Sequence, residues 1–195
     1  MYHFILNPVA GKGRTLSAIQ KIKQFLNERG VAYHIHYTQY PRHATEITRE
    51  LTGEGSKNII AMGGDGTVNE VLNGIADFES CNMGIIPCGT GNDFAKFINL
   101  PFEPVKAMQL ILESSPKYTD YIQVNGGKRV MNVTGMGLDV AVLERCNRMK
   151  FFKGKLQYLI SLIITLLKFK WYRFRMSVDG GEEQDLLPHP QLPGD

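Results

Sequence analysis

A chain of 195 residues with 43% hydrophobic side chains is long enough to bury one good core and part of a second. Its formal net charge of +3 conceals an asymmetry. Nine cations (Arg145, Arg148, Lys150, Lys153, Lys155, Lys168, Lys170, Arg173 and Arg175) stand between residues 145 and 178 without one Asp or Glu, and the rest of the chain is net acidic. Three widely spaced cysteines, Cys81, Cys88 and Cys146, form no C-x-x-C pair, which argues against a zinc site or a disulfide framework and points to a reducing, cytoplasmic setting.

The amino terminus has no basic n-region and no cleavage-site pattern, so His3 to Leu6 reads as a first strand and not as a signal. Leu16, Ile19, Ile22, Phe25 and Leu26 then recur at helical spacing up to Gly30, a natural stop. The alternation continues. Tyr33 to Thr38 predicts a strand, Ala44 to Leu51 a helix, Asn58 to Met62 a strand, Val68 to Ile75 a helix and Met83 to Ile86 a fourth strand. Pro104 opens a further helix that runs to Glu113. Strands and helices in this order imply a parallel sheet covered on both faces. Beyond it the pattern changes: Tyr118 to Val124 and Lys128 to Val133, joined by Asn125-Gly126-Gly127, predict an antiparallel hairpin, and we place a domain boundary near residue 117. Helices over 139–149 and 155–170 and a strand over 171–178 complete a second, incomplete domain over 118–185. Residues 186–195, with three prolines, read as a disordered tail. A domain that begins on a hairpin and stops after one more strand leaves open edges, so the chain reads as C-terminally truncated.

Three turns carry the chemistry: Asn7-Pro8-Val9-Ala10-Gly11-Lys12-Gly13-Arg14, Gly63-Gly64-Asp65-Gly66-Thr67-Val68-Asn69-Glu70 and Pro87-Cys88-Gly89-Thr90-Gly91-Asn92-Asp93-Phe94-Ala95. Each follows an apolar strand, the position where open α/β sheets bind anions. None has the third glycine of a dinucleotide fingerprint, since Leu16, Asn69 and Phe94 stand there, and the first lacks P-loop spacing. In the second, the glycines let backbone approach a ligand, Asp65 offers a carboxylate for Mg²⁺ beside phosphates, and Thr67 and Asn69 add polar groups at a helix start. The plainer reading of Asp65 is a helix cap. The third turn repeats the logic with Thr90, Asn92 and Asp93, and Lys12 is a point charge within reach of a phosphate.

The second and third turns, preceded by Asn7-Pro8 and a Gly-Lys turn, closely resemble the diacylglycerol kinase catalytic-domain family of bacterial lipid kinases and sphingosine and ceramide kinases, over residues 2 to about 180. The resemblance implies an N-terminal Rossmann-like α/β domain of the NAD kinase type (residues 1–117) that binds ATP, and a β-rich second domain that helps to form the lipid cleft. It implies that Asn7, Pro8, Val9, Ala10, Gly11, Thr38, Gly64, Asp65, Gly66, Thr67, Val68, Asn69, Glu70 and Thr90 line the ATP site, with Asp65 as the catalytic and Mg²⁺-binding residue. Thr38 is aligned only by its place after the second strand. The family's acidic base lies in a later Asp-Gly-Glu motif. Asp179-Gly180-Gly181-Glu182-Glu183 comes too early to take that role.

The remaining features are weaker. His3, His34, His36, His43 and His189 show no ligand spacing beyond one i, i+2 pair and read as surface or edge residues. Asp139, after Gly135-Met136-Gly137, is either a helix cap or a phosphate or lipid contact. The apolar run from Leu156 to Leu167 covers about 18 Å as a helix, short of the ~30 Å bilayer core, and is either a core helix or one lying on an anionic surface beside Trp171 and Tyr172. The resulting expectation is an ATP- and Mg²⁺-dependent lipid kinase of phospholipid metabolism acting on a hydroxyl such as that of diacylglycerol. It would be cytoplasmic, peripheral at the inner face of an anionic membrane, without a nucleic-acid partner, and compatible with a homodimer. An NAD kinase and a catalytically inactive nucleotide-binding fragment are the alternatives.

Overall fold

The computed structural model describes residues 1–124, 127–132, 135, 138–148, 155–168, 174–177, 182 and 184–186. The expectations for Asn125-Gly126, Met136-Gly137, Lys150, Lys153, Lys170, Arg173, Phe151, Phe152, Trp171, Tyr172, 179–181, Glu183, His189 and the rest of the tail lie outside the described residues. The chain divides into two compact units, Met1–Val133 and Thr134–Asp195.

In the first unit, strands β1 (Tyr2–Leu6), β2 (Tyr33–Tyr37), β3 (Asn58–Gly63) and β4 (Asn82–Pro87) alternate with helices α1 (Arg14–Glu28), α2 (His43–Gly53) and α3 (Asp65–Gly74). The strands form one parallel sheet in the order β2-β1-β3-β4. Successive side chains of a strand point to opposite faces. Phe4, Leu6, Ile60, Met62 and Ile86 therefore enter a core against α1 and α5 (Pro104–Glu113), while Ile5, Ile59, Ala61 and Ile85 enter a second core against α2 and α3. A sheet covered on both faces explains why β1, β3 and β4 read as nearly unbroken apolar runs. The chain leaves β1 for β2 on one side and returns to β3 on the other. The strand order thus reverses between β1 and β3, and that reversal opens a crevice beyond their carboxyl ends.

The edge strand β2 is anchored by three histidines gathered on one face. His3 Nδ1 and His36 Nε2 lie 3.2 Å apart, His3 Nε2 is 3.3 Å from Ser56 Oγ, and the His3 ring stacks against those of His34 and His36. Burial lowers the pKa of both His3 and His36, reinforced by their histidine neighbours, so these two favour their neutral forms.

The hairpin, β5 (Ile122–Val124) with β6 (Lys128–Val130), is antiparallel as its turn chemistry requires, and belongs to the first unit. It docks on the far end of α3. The Asn73 amide donates to the Arg129 carbonyl (2.7 Å) and accepts from the Arg129 N–H (2.8 Å), as a neighbouring strand would. The Arg129 guanidinium donates to the carbonyls of Leu72 and Ile75, the carboxyl end of α3, where a cation is electrostatically favoured.

The second unit holds α6 (Leu138–Arg148), α7 (Lys155–Leu167) and an antiparallel pair, β7 (Phe174–Met176) with β8 (Gln184–Leu186). Arg145 Nε donates to Thr165 Oγ1 between the helices. Helix α7 buries Ser161 and Thr165 and exposes Tyr158, Leu159, Ile163, Leu166 and Leu167, so its polar stripe faces inward and its apolar stripe outward. Among the described residues no helix is long and apolar enough to cross a membrane.

Candidate nucleotide site

The backbone lines up the carboxyl ends of all four strands. Asn7 N–H donates to the Met62 carbonyl, Thr38 N–H to Leu6, and Cys88 N–H to Gly63, so the three turns and Thr38 leave the sheet side by side. Helix α3 starts immediately beyond β3. Val68 N–H donates to the Gly64 carbonyl as the first helical bond, so the N–H groups of Asp65, Gly66 and Thr67 have no partner within the helix. They carry the positive end of the helix dipole, a place suited to phosphate.

The turns also touch one another. The second and third approach so closely that a Cβ on Gly64 would sit 3.1 Å from the Gly89 Cα, and one on Gly89 would sit 3.2 Å from the Gly64 N and inside the envelope of the Gly64 Cα. The first turn, with Gly11 (φ +57°) and Lys12 (φ +59°) both left-handed, bends back at Gly11 onto the Cys88 carbonyl. Burial there pushes the Cys88 thiol up to about 11, which leaves it inert at neutral pH. Asn92 adopts a left-handed conformation (φ +52°) and closes the third turn, its amide bonding both the N–H and the carbonyl of Gly89 at 2.9 Å.

Each expected site residue can now be located. Asp65 does not cap its own helix. Its Oδ1 accepts the N–H of Asp93 at 2.7 Å and so caps α4 (Asp93–Phe97), a five-residue helix too short for periodicity to reveal. Thr67 is buried and turned inward, its hydroxyl accepting from Asn7 Nδ2 at 3.4 Å, and Asn7 Oδ1 in turn accepts the Val9 N–H. These bonds brace the first turn, with Pro8 and Ala10, against the second. Val68 gives its side chain to the core, and the Glu70 carbonyl accepts from Thr45 on α2. Gly66 and Thr90 are exposed. Asn69 Oδ1 is buried and has no hydrogen-bond partner among the described residues, an acceptor whose burial calls for a donor. One contributor was given no role by sequence reasoning: Arg14 bonds the carbonyls of Gly11 and Gly89. Asp93, expected in the third turn, pairs with Lys96 at 3.2 Å.

The family model for the diacylglycerol kinase catalytic domain matches residues 1–124. The chain belongs to this family. Over 179 residues it is 30% identical to a diacylglycerol kinase of Bacillus subtilis (strain 168), a match that covers 90% of this chain and 59% of that protein. A diacylglycerol kinase of Mycobacterium tuberculosis (strain ATCC 25618 / H37Rv) is 30% identical over 184 residues, covering 92% of this chain and 59% of the relative. The crystal structure of a diacylglycerol kinase from Bacillus anthracis str. Sterne matches with a TM-score of 0.68 at 31% identity, covering 95% of this chain and 61% of that one. The chain therefore spans about three fifths of the length of these relatives.

Proposed function

We propose that the three turns bind the phosphates of ATP and that the chain serves the transfer of the γ-phosphoryl group to a lipid hydroxyl such as that of diacylglycerol. The observation that carries this reading is the convergence of three turns around the open N-terminus of α3, at the crevice where the strand order reverses. Phosphoryl transfer asks for positioning and charge neutralisation more than for covalent chemistry, and a rigid set of N–H donors supplies the first.

Among the described residues no group of three or more His, Cys, Asp or Glu side chains is arranged to hold a metal ion. A single carboxylate beside a phosphate site still suits Mg²⁺, which is commonly held by one or two carboxylates together with substrate phosphates. Asp65 is the residue to hold it, through the carboxylate oxygen that Asp93 N–H does not use. When bound, Mg²⁺ neutralises charge on the phosphates. Asp65 in this reading does two things at once, orienting the third turn through Asp93 and presenting negative charge at the mouth of the site. The buried Asn69 oxygen adds an acceptor suited to a nucleotide amino or hydroxyl group, or to water.

For access to lipid, the outward apolar stripe of α7, with exposed Lys168 and Arg175 in a stretch of sequence free of acidic residues, suits an anionic bilayer surface.

The test is phosphate transfer from labelled ATP to diacylglycerol and to sphingosine in mixed micelles, with wild type and Asp65→Ala. Transfer by wild type, and a drop of about a hundredfold or more in the variant, is expected. Full turnover by Asp65→Ala would remove Asp65 from the site. Formation of NADP from NAD and ATP would replace the lipid by NAD, and ATP binding without transfer to any lipid would leave a nucleotide-binding protein.

A further inference from the structure

We infer that Arg14 is a positioning residue of this site: its guanidinium staples the first turn to the third and, through the Gly89–Thr90 peptide, sets the direction in which the third turn presents its N–H group. The role at the ligand rests on the nucleotide reading above. The staple itself does not.

Arg14 closes the first turn, yet sequence reading gives it no role there, and it occupies an unfavourable place. It is the first residue of α1, where the helix dipole disfavours a cation and no acidic residue follows in the first turn. Both ion pairs among the described residues lie elsewhere. Its hydrogen-bond partners among the described residues are two carbonyls: Nε–H donates to Gly11 at 3.0 Å and Nη2–H donates to Gly89 at 2.9 Å, 75 residues along the chain. A guanidinium is the side chain built for this, since its donors project from one rigid plane in fixed directions.

The consequence falls on the peptide after Gly89. Its carbonyl also accepts from Asn92 Nδ2 at 2.9 Å, while the Gly89 N–H donates to Asn92 Oδ1 and to the Gly63 carbonyl. The peptide unit is planar and trans, so a carbonyl held toward Arg14 and Asn92 turns the Thr90 N–H the opposite way. Thr90 is exposed, and it is one of the residues expected to line the ATP site. At the other end, the bond to Gly11 holds the bend of the first turn against Cys88. One side chain therefore fixes two of the three turns.

A direct role, Arg14 as a point charge on phosphate, makes a different prediction for lysine, which keeps the charge and loses the fork. The experiment uses the whole chain as wild type, Arg14→Lys and Arg14→Ala, with three measurements: ATP·Mg²⁺ titration by calorimetry, hydrogen exchange over residues 88–92 without nucleotide, and thermal unfolding. Both variants are expected to bind ATP about tenfold or more weakly, to exchange faster at 88–92, and to melt within about 3 °C of wild type. Wild-type affinity in Arg14→Lys would assign the effect to charge and overturn the positioning role. Unchanged exchange at 88–92 in both variants would overturn the staple. If wild type fails to bind ATP, the nucleotide reading and the role at the ligand fall together, and exchange still decides whether the staple exists.

Discussion

Gly11 and Gly13 stand two residues apart in the first turn, both at positive φ (+57° and +83°), and their replacement by alanine separates backbone strain from turn-to-turn contact. At Gly13 an added Cβ meets nothing within 4 Å, so Gly13→Ala bears only the left-handed conformation, about 1–2 kcal/mol. At Gly11 the same atom falls inside the envelope of the Cys88 carbonyl oxygen, with Arg14 Nε at 2.9 Å and the Cys88 carbonyl carbon at 3.1 Å. Ordinary carbon contacts are near ~3.5 Å, so the first turn must retreat from the third by more than about 1 Å. Overpacking of this kind costs about 1–3 kcal/mol beyond the strain. The loop lies at the surface and can yield without unfolding the sheet, so the excess is expected to appear in nucleotide affinity, as roughly 5- to 150-fold weaker ATP binding for Gly11→Ala than for Gly13→Ala. Urea unfolding of both variants measures the shared strain, and calorimetric titration with ATP·Mg²⁺ measures the difference. Equal affinities in the two variants would refute the claim that the first turn must rest on the third for the site to form.

Acid should loosen the edge strand. The folded-state pKa values of His3 and His36 lie below the ordinary 6.5, so the folded protein takes up protons less readily than the unfolded chain. Stability present above about pH 6.5 is lost as pH falls through the interval down to the folded values. His34 faces the pair with the same sign, as does the chain terminus toward His3, while Glu54 and Glu50 oppose the shift at His3 and His36 respectively. Urea midpoints at pH 7.5 and 5.5 should differ more for wild type than for His36→Gln, and an equal loss in both would show that the cluster does not carry the effect. On membranes, the chain should co-sediment with anionic vesicles at low salt, bind neutral ones poorly, and be largely released by about 0.5 M salt. Equal binding to both vesicle types would remove electrostatics from the account.

The alternation of strand and helix through the first unit was legible because burial on two faces demands it: His3 to Leu6, Asn58 to Met62 and Met83 to Ile86 are apolar enough for no other role, and Gly30 and Pro104 punctuate the helices by backbone chemistry alone. The three turns could be picked out for the same reason, since glycine after an apolar strand is a local signal. Helix α4 could not, because five residues make little more than one turn and display no period. What local pattern does not carry is adjacency. The order β2-β1-β3-β4 makes neighbours of β1 and β3, strands separated in sequence by an entire strand and two helices; that adjacency sets Asn7 against Thr67, and with β4 beside β3 it brings Arg14 to Gly89. The pairing of β1 with β2 likewise brings His3 beside the His34 and His36 pair, 31 and 33 residues along the chain, into one cluster on the α2 face. Asp65 shows the division within one residue. Its place at the start of a helix follows from the glycines before it, whereas its partner, the N–H of Asp93, is chosen by how closely Gly64 and Gly89 let two backbones meet. Contacts of that kind are closed at a cost in chain entropy that the packed sheet offsets, and no short window of residues records them.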